Sequence, residues 1–191
     1  MSKIEVLPHD VAERIAAGEV VERPASIVKE LLENALDAGA SSITIGIEKG
    51  GCESIRVVDN GRGIEATDVP LAFARHATSK IRAFDDLFRL KTFGFRGEAL
   101  ASIAAVARVE MVSRTGSSPS GMRIVIESGE VRERVEIGCP VGTAVSVDRI
   151  FDAVPARKKF LKTAATEQGN CLDTITRLAL SNAAVGMRVT A

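Results

Sequence analysis

The sequence predicts an α+β fold, a two-layer sandwich of a mixed, mainly antiparallel sheet with helices on one face. Three observations predict it. Apolar residues recur at helical spacing before residue 40, strand-like alternation fills several later segments, and no regular strand–helix alternation links them. Val11 to Gly18 has Ala and Ile on one side of a helical period. Pro24 to Ala38 is a stronger helix, with Pro24 suited to the first turn and Gly39 to the C-terminal cap. Ser42 to Glu48 alternates Ile43, Ile45 and Ile47 with small or polar residues. Ser54 to Val58 is rich in β-branched residues, and Gly50-Gly51 between the two predicts a hairpin. Ala66 to Ala74 and Gly97 to Val106 are predicted helices. Arg108 to Arg114, Met122 to Ser128, Val131 to Ile137 and Ala144 to Arg149 read as an antiparallel meander. Thr166 to Ala184 returns to helix, and Met187 to Ala191 to strand.

Composition narrows the function classes. A hydrophobic fraction of 46% with 26% charged residues is that of an ordinary globular domain. The 25 basic and 25 acidic residues cancel, so a nucleic-acid contact would need a local patch. Trp and Tyr are absent, which removes most of the stacking surface used by single-strand binders. Cys52, Cys139 and Cys171 are odd in number and lie at no metal-ligand interval, so neither a disulfide framework nor a zinc site is expected. A reduced, cytoplasmic setting follows. Met1 to Asp10 lacks an apolar signal core and no apolar run has membrane-spanning length, so no membrane association is expected. His9 and His76 read as surface residues.

Three segments carry possible chemistry. On the helix Pro24–Ala38, Glu30, Asn34 and Asp37 fall on one polar stripe beside the apolar face. Such a stripe faces either a ligand or solvent. Asp59-Asn60-Gly61-Arg62-Gly63 follows a predicted strand. Gly61 and Gly63 let backbone approach a ligand closely, and Asp59 would accept from an exocyclic amine. Asn-Gly is also a hairpin signal, so a plain turn stands as the alternative. Gly94-Phe95-Arg96-Gly97-Glu98-Ala99-Leu100 runs a glycine loop into a helix, whose free N–H groups and dipole suit phosphates. Arg75 to Lys80, polar and basic, is either a lid over those phosphates or a surface turn. No GxxxxGK[ST] and no GxGxxG after a strand is present, so any nucleotide is held by another architecture.

The order of these elements resembles the GHKL ATPases, the superfamily of gyrase, a heat-shock chaperone, histidine kinases and MutL. Four stretches are similar to MutL-type mismatch-repair proteins in particular. They are Ile15–Ala40, Ala74–Ile81, Gly94–Val106 and Pro155–Lys162. One departure is visible: Ala153-Val154 precede Pro155 where MutL proteins usually carry Asn-Thr.

The resemblance implies the GHKL (Bergerat-type) ATP-binding fold over residues 1–191, as part of a longer protein, and ATP with Mg2+ as ligands. It implies Glu30 as general base, Asn34 as the magnesium ligand, Asp59 on the adenine amino group and Gly63 beneath the base. It places Gly94 to Leu100 at the phosphates under a lid of Thr78, Ser79 and Lys80, with Thr143 near the adenine. A lysine from a following domain completes the family's site, so weak turnover is expected of this chain alone. The implied partners are a mismatch-recognition protein, a downstream nuclease or helicase, DNA, and a second copy in an ATP-dependent dimer. Arg157, Lys158, Lys159 and Lys162 are candidates for weak, salt-sensitive DNA contact or for a solvated helix end. A histidine-kinase-like phosphotransferase, a topoisomerase ATPase subunit and a non-catalytic nucleotide-dependent module are the competing readings.

Overall fold

The computed structural model describes residues 21–75, 77–78, 92–94, 97–152 and 154–191. The predicted helix Val11–Gly18, both histidines, Ser79, Lys80, Phe95, Arg96 and Ala153 lie outside these residues.

Helix α1 spans Pro24–Asp37, with Pro24 in its first turn. It ends in a Schellman closure: Gly39, at φ 74°, donates to Leu36 O at 2.9 Å, and Ala40 donates to Ala35 O at 3.2 Å. Its apolar face, Ile27, Val28, Leu31, Leu32 and Ala35, is buried. Each large aliphatic side chain so buried contributes about 1.5–3 kcal/mol. Strands β1 (Ser42–Glu48) and β2 (Ser54–Asp59) pair antiparallel through the 3-10 turn Lys49–Gly51. The predicted hairpin is present, and its glycines do more than turn the chain. Gly50 has φ +69°, and a Cβ there would stand 2.2 Å from Ala164 O, so the turn packs backbone to backbone against a later helix.

The predicted helix Ala66–Ala74 does not form. Residues 66–70 are turns, followed by a 3-10 turn over Leu71–Phe73. Pro70 lacks the N–H that a helical ladder needs in mid-segment, and of this stretch only Val69 is fully buried, too small a face to hold a helix. Helix α2 covers Ala99–Val106, two residues later than predicted at its start, because Gly97 at φ +64° cannot be helical.

Strands β3 (Arg108–Arg114), β4 (Gly121–Glu127), β5 (Glu130–Ile137) and β6 (Gly142–Asp148) follow. Only the first three form the predicted meander. β6 turns back across the sheet to lie between β3 and β2. Its buried Val145 and Val147 match Met111 and Val109 on one side and Val57 and Ile55 on the other. β5 is exposed along almost its whole length and carries Glu130, Arg132, Glu133, Arg134 and Glu136, a composition suited to an edge. A short helix α3 (Pro155–Lys158), not foreseen in the sequence, precedes α4 (Ala164–Ser181). Thr163 caps α4 by accepting from Thr166 N. β7 (Gly186–Thr190) then adds parallel to β1. Among the described residues the sheet order is β5-β4-β3-β6-β2-β1-β7.

Helices and sheet share one apolar core, to which α1, α2, α4 and the inner face of the sheet contribute. The outer face is polar. There Asp148, Arg108, Glu110, Arg123 and Glu133 form a chain of ion pairs across neighbouring strands. These groups are partly exposed, so water and salt screen each pair.

The Gly50 contact gives a test of the turn. Gly50→Ala should lower unfolding free energy by about 2–4 kcal/mol in denaturant melts, from left-handed backbone and collision with a carbonyl. Gly116→Ala, where a Cβ meets nothing within 4 Å, should change it by about 0.5 kcal/mol or less. Equal effects would show that the turn has room to move.

Candidate functional site

At one end of the central strands the inner face changes from apolar to polar. Asp59 on β2 pairs in register with Thr143 on β6, and Thr143 with Ser113 on β3. Each is two residues from a buried apolar side chain of the same strand, Val57, Val145 and Met111, so all three point to the helical side. Burial raises the pKa of Asp59, opposed by hydrogen bonds from the backbones of Gly61 and Thr143. The Gly61 N–H lies 2.8 Å from Oδ1.

The segment after Asp59 is not a hairpin turn, because the second partner of β2 is the distant β6. Asn60 clamps the start of β1: its Oδ1 accepts from Ser41 N and Ser42 N, both at 2.9 Å, and its Nδ2 donates to Ser41 Oγ. Gly61 lies against the end of α1, where a Cβ would stand 2.8 Å from the Cβ of Ala38, and Arg62 N donates to Ala38 O at 3.0 Å. Gly63 has φ +72°, with no room for a Cβ within 2.0 Å of Arg114 O. Beyond it Ile64 N donates to Ser113 Oγ at 2.9 Å. Glu65 accepts from the hydroxyls of Thr115, Ser118 and Ser117, and these bonds lower its pKa. The loop is thus fixed at both ends by backbone contact.

The C-terminal end of the polar stripe of α1 meets the glycine loop. Asp37 accepts from Phe93 N at 3.0 Å and Gly94 N at 3.4 Å, so its carboxylate holds loop backbone. Asn34 is half-buried one turn away, and Glu30, with a side chain 28% exposed, lies a turn further. Lys29 Nζ stands 3.7 Å from Glu30 and 2.8 Å from Glu33. Burial pulls the Lys29 pKa down, and the bonds and charges of Glu33 and then Glu30 more than offset it. Gly94 O accepts from Thr92 Oγ1 at 2.9 Å. Gly97 allows direct passage against Ala77, whose carbonyl would lie 2.3 Å from a Cβ, which brings the half-buried Thr78 beside the loop. Glu98 takes the N-cap position of α2, with Ala99 and Leu100 in its first turn and no side-chain cap bond.

The structure therefore joins the three segments found in the sequence. The end of α1 touches Gly61 through Ala38 and the Gly94 loop through Asp37, and that loop touches the Ala77–Thr78 segment. Sequence reasoning missed Ser113, Asn60, Glu65 and the buried Glu33. Ser113 did carry a signal, being polar where the alternation of Val109 and Met111 calls for an apolar residue.

The basic cluster is partly consumed in the fold. Arg157 donates to the carbonyl of buried Val21 at 2.9 Å and lies 6.0 Å over the Phe151 ring, and Lys158 pairs with Asp152 at 2.6 Å. Lys159 and Lys162 are exposed. Val154, at the family departure, takes the N-cap position of α3 without a side-chain bond and packs on the core. The cysteines are free thiols, and burial, then Glu167, pushes Cys171 up to about 12. Among the described residues no helix is long and apolar enough to cross a membrane. None of their His, Cys, Asp and Glu side chains form a group of three able to hold a metal.

A half-buried carboxylate and a buried hydroxyl at the strand ends, beside a helix edged with Glu30 and Asn34 and a glycine loop that opens a second helix, define the class as an ATP-binding domain. The model of the histidine kinase-, DNA gyrase B- and HSP90-like ATPases matches residues 22–141, and the chain belongs to that family. Within it, the relatives are MutL proteins. The DNA mismatch repair protein MutL of Syntrophus aciditrophicus is 64% identical over 187 residues, 98% of this chain and 30% of that protein. That of Methanothrix thermoacetophila is 52% identical over 181 residues, 94% of this chain and 32% of that protein. Among solved structures, the Aquifex aeolicus MutL ATPase domain complexed with ADP superposes with TM-score 0.74 at 35% identity. The match covers 89% of this chain and 60% of that one. The N-terminal domain of a DNA repair protein gives TM-score 0.78 at 32% identity, over 93% and 51%. The chain thus spans about a third of the length of these MutL relatives.

The raised pKa of Asp59 predicts a stability cost at neutral pH. The folded state holds the Asp59 proton more tightly than the unfolded chain. Stability therefore falls as pH rises from the ordinary carboxylate value of about 3.9 through the raised one. Asp59→Asn should melt at or above the wild-type temperature at pH 7, with the gap closing in acid. A lower melting temperature at pH 7 would mean that hydrogen bonds to the carboxylate outweigh its burial.

Proposed function

We propose that this chain is the ATP-binding and hydrolysing region of a MutL-type mismatch-repair protein, in which nucleotide state switches assembly with a second copy. The observation that carries the reading is the end of α1, which draws the Asp59–Gly63 loop and the Gly94 loop to one place. In it Asp59 accepts from the adenine amino group, with Thr143 beside it and Gly61 and Gly63 letting backbone approach the base. The start of α2, with Gly94, Phe95, Arg96, Gly97, Glu98, Ala99 and Leu100, receives the phosphates, whose charge suits the helix N-terminus. The resemblance assigns the lid over them to Thr78, Ser79 and Lys80, the last two outside the described residues.

Asn34 offers one hard oxygen to Mg2+. The donor set fits this ion, since it keeps several waters and takes further oxygens from the phosphates, so no protein cage is required. When bound, it would neutralise phosphate charge as a Lewis acid. Glu30 accepts the proton of a water as its oxygen attacks the γ-phosphorus, and the bond to the β-phosphate oxygen breaks to leave ADP and phosphate. Asp37 acts by holding the Phe93 and Gly94 amides, so its part in nucleotide binding is to position the loop. The larger protein would work in the cytoplasm at the nucleoid, with a mismatch-recognition protein and a downstream nuclease or helicase as partners. DNA contact by this region would be weak, through Lys159 and Lys162.

Two measurements test the site. Glu30→Gln in the full-length protein should keep ATP affinity in calorimetric titration while phosphate release falls by about a hundred- to ten-thousand-fold. Unchanged turnover would remove Glu30 from the mechanism. Asp59→Asn should weaken ATP more than a triphosphate without adenine, and equal loss of both would count against the adenine contact. No binding at millimolar ATP by the full-length protein would end the ATPase reading.

A further inference from the structure

Ser113 is 1% exposed, yet its hydroxyl makes three polar contacts. Ile64 N donates to Oγ at 2.9 Å, Gly142 O lies at 3.1 Å, and Thr143 Oγ1 lies at 2.9 Å. A hydroxyl has one proton and two acceptor lone pairs. The Gly142 carbonyl only accepts, so the Ser113 proton goes to it. The bond between the two hydroxyls must then use the proton of Thr143. Ser113 is left with one bond donated and two accepted, a full complement for a buried hydroxyl.

The consequence lies on Thr143. With its proton turned inward to Ser113, its oxygen presents lone pairs beside Asp59, its register neighbour, whose carboxylate takes the Thr143 backbone N–H. Two acceptors side by side suit an exocyclic amino group, which carries two N–H donors. They repel a keto oxygen, which carries none.

We infer that Ser113 is a positioning residue for base selection: it fixes Thr143 as an acceptor, and Asp59 with Thr143 then prefers a 6-amino purine to a 6-keto purine. This rests on the reading of the Asp59 end as the base pocket. Backbone holds the entry to this arrangement, since Gly142 has φ +118° and a Cβ there would stand 2.1 Å from Asp59 O. Thr143 therefore cannot shift along β6 to find another partner.

The test is calorimetric titration of the full-length protein with Mg-ATP and Mg-GTP, with thermal melts recorded alongside. Ser113→Ala should reduce the ratio of ATP to GTP affinity by about tenfold, the worth of one hydrogen bond, as Thr143 becomes free to donate. A purely structural role would weaken both nucleotides alike, and an unchanged ratio overturns the proposal. Thr143→Val should lower the ratio similarly, and Ser113→Ala added to it should lower it no further. A full additional loss in the double variant also overturns it. Should Ser113→Ala fail to fold, an unchanged ratio in Thr143→Val overturns the proposal by itself. A wild-type chain that prefers ATP while the variants leave its ratio unmoved keeps the pocket reading and removes only Ser113. A full-length wild-type protein that binds neither nucleotide removes both.

Discussion

The last turn of α1 is the constraint on which the site depends. Its closure through Gly39 and Ala40 ends the helix beside the end of the central strand β2, and the groups there hold two loops from different parts of the chain. Ala38 leaves space only for a glycine at 61 and gives its carbonyl to Arg62. Asp37, one residue earlier, gives its carboxylate to Phe93 and Gly94. The two attachments differ in kind. The first is backbone against backbone and tolerates almost no movement, while the second is a pair of hydrogen bonds to a loop. In the proposed reading the rigid attachment serves the base and the looser one the phosphates.

The polar row of Asp59, Thr143 and Ser113 opposes the stability of the fold that surrounds it. Inner-face positions elsewhere on β2, β6 and β3 are filled by Ile55, Val57, Val145, Val147, Val109 and Met111, which gain free energy from burial. Asp59 continues the same face as a carboxylate whose charged form burial disfavours. Backbone N–H groups of Gly61 and Thr143 reduce that penalty without removing it. A half-buried carboxylate whose pKa is raised by its surroundings marks a candidate ligand site. The neighbouring hydroxyls are arranged differently: each has its partners, so the row is polar without leaving an orphaned buried atom.

Local features were legible in the sequence and non-local ones were not. Helix α1, the β1–β2 hairpin and the last strand follow from period, caps and turn residues, all of which act within a few positions. The stripe of Glu30, Asn34 and Asp37 follows from helical geometry. The order of the motifs along the chain carried the resemblance, and the resemblance supplied their roles. The failure at Ala66–Ala74 is also local, because Pro70 outweighs the apolar spacing around it. What periodicity could not give is the place of β6. Alternation says which residues of a strand face inward and nothing about which strand lies next to it. Ser113 and Asn60 were overlooked for the same reason, since their partners lie 30 and 19 positions away.

The crossing of β6 is also what makes the site. β1 and β2 would form one small sheet and β3, β4 and β5 another, each with an inner edge left open. β6 pairs with β2 on one side and β3 on the other, joining them into a single sheet. The same pairing sets Thr143 between Asp59 and Ser113, so the step that closes the core also assembles the polar row. Its entry is fixed by Gly142, which alone of the residue types fits against Asp59 O, and its exit by Phe151, whose N–H bonds Val106 O at 2.8 Å. The polar row therefore cannot form before the sheet is complete. If that row holds the base, as proposed, core folding and ligand recognition share one strand, and a change that misplaces β6 would damage both together.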